Sequence, residues 1–97
     1  MIEIKVRKKG EAISFLEVKG HAGYDDSGKD LVCAGVSCIM YGLCNALDGM
    51  PDVEIDLEEV ITIYNHSQRQ DVRNYLELAL IQLETVAYSY PDHVKIT

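Results

Sequence analysis

The sequence predicts one α+β domain spanning residues 1–97, with elements in the order β-β-α-β-β-α-β and two helices packed on a single sheet. Three observations predict it. Stretches of alternating apolar and polar residues come in adjacent pairs, each pair is followed by a run of helical character, and 97 residues suffice for one core but not two.

The first pair is Ile2–Arg7 and Ala12–Lys19, the latter with Ile13, Phe15 and Val18 inward. Lys8-Lys9-Gly10-Glu11 between them is a polar turn of hairpin length. Lys5, Arg7, Lys8 and Lys9 crowd one end of this hairpin. They read as a solvated edge that discourages strand pairing, or as a docking patch for an anionic surface. Gly20 to Lys29 holds three glycines, two aspartates and a serine, and reads as a loop.

A helix follows. Asp30 suits its N-cap, Leu31-Val32-Cys33 its first turn, and Gly49 a left-handed position just past its end near Leu47. The run is apolar almost all the way round, so it should be covered on more than one side. Gly35 and Gly42, seven apart, share nearly one face and would admit a second copy of the chain.

Val53–Leu57 and Val60–Tyr64 form the second pair, a tight hairpin or one bulged strand about Glu58-Glu59. Asp52, Glu54, Asp56, Glu58 and Glu59 recur mostly at every second position, the solvent face of a strand rather than a calcium loop. Ser67 with Gln70 three residues on matches a capping box. Val72, Leu76, Ala79, Leu80, Leu83, Val86, Ala87 and Tyr90 then recur at helical spacing until Pro91. Val94 and Ile96 alternate in a short last strand.

Composition removes several classes of function. Sixteen Asp+Glu against nine Lys+Arg leave a net charge of −7, which argues against nucleic acid as a direct partner. A chain this small has no room for a large internal pocket. Leu31–Leu47 is interrupted by Ser37 and Asn45 and lacks aromatic and basic anchors, so it is a core helix and no membrane is expected. Three cysteines within twelve residues, without a C-x-x-C pair or secretory signal, point to a reducing, cytoplasmic setting. The Asn65-His66-Ser67 sequon then carries no meaning as a glycosylation site.

Cys33 is the candidate nucleophile. As the third residue of a helix capped by Asp30 it would sit among free N–H groups, which favour a thiolate. Cys38 and Cys44 lie deeper in the helix and read as packing residues. His21, at the end of the second strand between Gly20 and Ala22, is placed to pair with Cys33 as imidazolium and thiolate. His66 and His93 flank the second helix as surface residues. A zinc site from His21, Cys33, Asp25 and Asp26 lacks the usual short ligand pairs, so no metal and no cofactor is expected. The loop also lacks phosphate-cradling spacings, and a redox sensor built on Cys33 lacks a resolving partner.

Gly20-His21-Ala22, then Gly28, Asp30, Val32-Cys33-Ala34 and Val36-Ser37 resemble the signature of the ribosomal-processing cysteine protease family Prp. The resemblance implies an endopeptidase that removes a short N-terminal extension from a large-subunit ribosomal protein precursor, cutting in an apolar, phenylalanine-containing sequence. It implies His21 and Cys33 as catalytic residues, Asp30 and Ser37 in support, and a homodimer. On this reading Cys33 attacks the scissile carbonyl, helix-start N–H groups including its own receive the oxyanion, and His21 protonates the leaving amine. The loop with Gly23 and Gly28 closes over an extended peptide. The alternative is a non-catalytic, ribosome-associated assembly module of the same fold. Gly35, Glu58-Glu59 and the additional thiols Cys38 and Cys44 depart from the family pattern, and the change in the second hairpin bears on groove shape.

Overall fold

The computed structural model describes residues 1–20 and 27–97, with residues 27–30 described by backbone alone. Strands β1 (Ile2–Lys9) and β2 (Ala12–Lys19) form the first hairpin. Helix α1 covers Ser27–Leu47, β3 Val53–Asp56, β4 Ile61–Asn65, α2 Gln70–Ser89 and β5 Val94–Ile96. The expected order therefore holds. The five strands form one sheet in the order β3-β4-β2-β1-β5, antiparallel except that β5 runs parallel to β1.

Alternation explains the sheet. Ile4 on β1, Leu16 and Val18 on β2, and Ile63 on β4 are buried on one face, where side chains two apart must point together. Both helices cover that face. Val32, Val36, Met40, Leu43, Cys44 and Leu47 of α1 join one cluster with Val72, Leu76, Ala79, Leu80 and Leu83 of α2. The opposite face carries Lys5 across from Glu17 and the ring pair Phe15–Tyr64, whose centroids lie 5.4 Å apart.

Four expectations need correction. The periodic reading turned Phe15 inward, but Ile13, Leu16 and Val18 are the buried residues of β2. The register slips between Arg7 and Lys8, which face Phe15 and Ile13, so Ser14 is an extra residue. This bulge reverses the alternation, and the Ser14 hydroxyl donates to the Arg7 carbonyl at 3.2 Å.

Helix α1 begins at Ser27, not after an N-cap at Asp30. Asp30 is its fourth residue, and Gly28 belongs to the helix rather than to a loop. Lys29 and Asp30 are compatible with a helix, an acid is favoured near its N-terminus, and one glycine costs only about 1 kcal/mol there. The left-handed Gly49, with φ 75°, follows the helix as expected.

Ser67 and Gln70 do not form a capping box, because α2 starts at Gln70 itself. Ser67 is buried, and its oxygen accepts from the Arg69 N–H at 3.1 Å in a turn before the helix. Finally, Cys44 is buried as a packing residue but Cys38 is exposed.

Candidate active site

A cleft of about 310 Å³ opens where β2 ends. One wall is Lys19 and Gly20, and the second is α1, through Cys33, Val36, Ser37 and Tyr41. The third is the β3–β4 turn, from Leu57 to Ile61. Cys33, Ser37 and Tyr41 are successive i, i+4 positions, so one helix face presents all three to the cleft. Cys33 is half-buried, while Ser37 and Tyr41 are exposed.

The strand end is fixed by backbone crowding. Gly20 has φ +93°, and a Cβ there would overlap the carbonyl oxygen of Met1. Only glycine fits both demands. The next residue in the chain is His21.

His21 and Gly23 lie outside the described residues, as does the side chain of Asp30. Among the predicted site residues, Cys33 and Ser37 are brought together on one cleft.

The earlier start of α1 changes the chemistry available to Cys33. It is the seventh helical residue, about 9 Å along the axis from the first. Its amide is committed to the carbonyl four residues back, and the helix field fades beyond the first turn. The N–H of Cys33 is therefore spent inside the helix rather than left free at its start.

Sequence reasoning missed Tyr41 and the Leu57–Val60 turn. Tyr41 was within reach, since it stands two i+4 steps from Cys33. The turn had no local signal, because only β4 pairing with β2 brings it beside α1. Glu58 and Glu59 give this wall an acidic edge, opposite Lys19. The Glu58 N–H donates to the Asp56 carboxylate at 3.0 Å and holds the turn in shape.

The other thiols differ in environment. Burial pushes the Cys44 thiol above its ordinary pKa of 9.0. Cys38 opens onto a groove between α1 and α2. Among the described residues, no three His, Cys, Asp or Glu side chains converge as a metal site.

The chain matches the family model described as cysteine protease Prp over residues 1–95. It is 29% identical to the ribosomal processing cysteine protease Prp of Bacillus subtilis, covering 100% of this chain and 96% of that protein. To the Mycoplasma genitalium protein of the same name it is 32% identical, covering 99% and 94%. A crystal structure from Streptococcus mutans superposes with a TM-score of 0.87 at 26% identity, covering 100% of this chain and 92% of that one. The S. aureus ribosomal processing protease Prp, crystallised with a substrate peptide, superposes with a TM-score of 0.84 at 21% identity, covering 100% and 98%. The fold and these likenesses define a cysteine protease. The chain belongs to the Prp family.

Proposed function

We propose that this protease removes a short N-terminal extension from a large-subunit ribosomal protein in the cytoplasm, with Cys33 as nucleophile and His21 as general acid and base. The observation that carries this reading is the shared cleft. Cys33 and Ser37 open onto the strand end that leads directly into His21. The curated relatives are named ribosomal processing proteases, which supplies the substrate class.

In the mechanism, the Cys33 sulfur attacks the scissile carbonyl and expels the amine, which takes a proton from His21. His21 then draws a proton from water, and the resulting hydroxide attacks and cleaves the thioester. Activation of the thiol falls to the imidazole. Ser37, an exposed hydroxyl one turn along the same face, supports the site as a donor facing the cleft. Asp30, with its backbone in the turn before Cys33, is the second supporting residue. Gly23 and Gly28 belong to the segment that this reading assigns to substrate binding.

The protein works as a homodimer on this reading. Its support is an apolar groove between the helices, where Gly42, Leu43, Ala46, Tyr75 and Leu78 leave a face that a second copy can cover. Sedimentation that gives a monomer at working concentration would remove this part of the reading.

The test is incubation with a peptide spanning the extension and the first residues of the mature protein. Wild type is expected to cut once, and Cys33→Ala and His21→Ala are expected not to cut. Equal cleavage by wild type and Cys33→Ala would sink the assignment, and binding without cleavage by wild type would favour an assembly module.

A further inference from the structure

We propose that this chain carries a second site, remote from Cys33, that binds a dianionic phosphate group, inorganic or terminal on a small ester. It is an open cavity of about 580 Å³ between the end of the β1–β2 hairpin and the chain entering α2. Lys9, Ser14, His66, Ser67, Gln68 and Arg73 line it over a floor of Ala12, Ile13 and Asn65.

Charge is the first argument. The protein carries −7 overall, yet this lining holds a lysine and an arginine and no Asp or Glu among the described residues. Glu11 and Glu77 line the adjoining depression, which shares Ala12 and Arg73 with this cavity, and among the described residues neither is ion-paired to Arg73. Arg69 is already committed to Asp71 at 2.9 Å and takes no part.

Unmet hydrogen bonding is the second. The Nε of Arg73 is buried and has no acceptor. That nitrogen lies out of a ligand's reach, so an anion in the cavity meets this side chain through the terminal nitrogens of its guanidinium. The surrounding walls are satisfied internally and therefore stiff. The Asn65 amide donates to the Ile13 carbonyl at 3.0 Å and accepts from the Ser67 N–H at 2.9 Å, while Ser14 donates to Arg7. The groups left for a ligand are the Lys9 ammonium, the His66 ring, the Gln68 amide and Arg73. All can donate, and Arg73 adds the planar fork that suits phosphate oxygens.

The position separates this site from the protease. Ala12 and Lys19 mark opposite ends of β2, about 23 Å apart at the rise of a strand. Lys9, at the basic hairpin end and unused by the peptidase reading, thus gains a role through a pocket that the β4–α2 connection completes.

The probe is inorganic phosphate, titrated into the ¹⁵N-labelled 97-residue protein at constant ionic strength, with chloride as the control. Saturable shifts are expected at Ser14 and His66–Arg73, with a Kd in the millimolar range of about −4 kcal/mol. Arg73→Gln should weaken binding about tenfold and Lys9→Gln several-fold. Lys9 is exposed, so its variant folds whatever happens at Arg73, and the rest of the spectrum reports folding in both. A nucleoside monophosphate should compete with inorganic phosphate for the same residues, which shows that a terminal phosphate on an ester enters too. Absence of saturable shifts beyond the chloride control overturns the proposal, as does binding indifferent to both variants. Equal or tighter binding of an oligonucleotide lacking a terminal phosphate, with shifts along Lys5–Lys8, also overturns it in favour of a general polyanion surface.

Discussion

Gly20 and Met1 meet in a backbone contact that admits no side chain. The carbonyl of Met1 occupies the volume that a Cβ on Gly20 would fill, and Gly20 holds φ at +93°. The N-terminal residue thereby props the strand end from which the chain enters His21, at the rim of the Cys33 cleft.

Gly20→Ala is therefore expected to cost stability and activity together. A positive φ alone costs an alanine about 1 kcal/mol or more, and displacing Met1 adds to it. Denaturant unfolding should show about 2 kcal/mol lost, and peptide cleavage at a temperature where the variant is still folded should fall more than tenfold. Native activity in a folded Gly20→Ala protein would show that the strand end does not position the site.

Tyr41→Ala separates substrate contact from folding. The ring is exposed at the cleft, two i+4 steps beyond Cys33, and is not part of the core. Stability should stay within about 0.5 kcal/mol, as for other surface substitutions. Peptide cleavage should show a raised KM with kcat little changed, because a wall residue contributes binding common to substrate and transition state.

Cys44 gives a prediction with a pH sign. Its thiol pKa is raised in the folded protein by burial and returns to its ordinary 9.0 on unfolding. The native state thus holds this proton more tightly. Its stabilising effect is complete below about pH 9 and is lost as pH rises past that value towards the folded pKa. Replacing Cys44 with alanine should flatten the fall of stability above pH 9 while lowering stability at pH 7 through the cavity left behind. In the same window, alkylation mapped by mass spectrometry should find Cys44 the slowest of the three thiols to react, until denaturant exposes it.

Much of this fold was legible because most of its patterns are local. The hairpins about Gly10 and Glu58-Glu59, the stripe from Val72 to Leu83 and the stop at Pro91 each follow from a handful of neighbouring residues. The errors came where a single residue shifts a phase. Ser14 is an ordinary strand residue in sequence, yet as a bulge it sends Phe15 to the outer face against Tyr64. Asp30 makes as good a first-turn residue as an N-cap, so side-chain preference did not decide where α1 began. Ser67 caps a turn, not the helix: its N–H donates to Asn65, whose amide bonds the first hairpin, and its hydroxyl accepts from the Arg69 N–H. At the site, Cys33 and Ser37 share a helix face that spacing reveals. The opposing wall of Leu57–Val60 arrives through strand pairing across the sheet, and no local pattern encodes it.

That wall leads to the last prediction. Glu58 and Glu59 edge the cleft beside Cys33, opposed by Lys19, which has Glu3 across from it on β1. A basic peptide entering the cleft therefore meets a net negative rim, in a protein whose total charge of −7 already draws cations towards it. The contribution is electrostatic and exposed to solvent, so each carboxylate is worth at most about 1 kcal/mol and is screened by salt. Glu58→Gln with Glu59→Gln should lower kcat/KM for a peptide with lysines flanking the scissile bond three- to tenfold. The same change should leave a neutral peptide of equal length untouched. Raising ionic strength from about 0.01 M to 0.15 M, which shortens the screening length from about 30 Å to 8 Å, should slow wild type on the basic peptide and close most of the gap to the variant. Rates for the basic peptide that ignore both salt and the two substitutions would reduce the acidity of this turn to solubility alone.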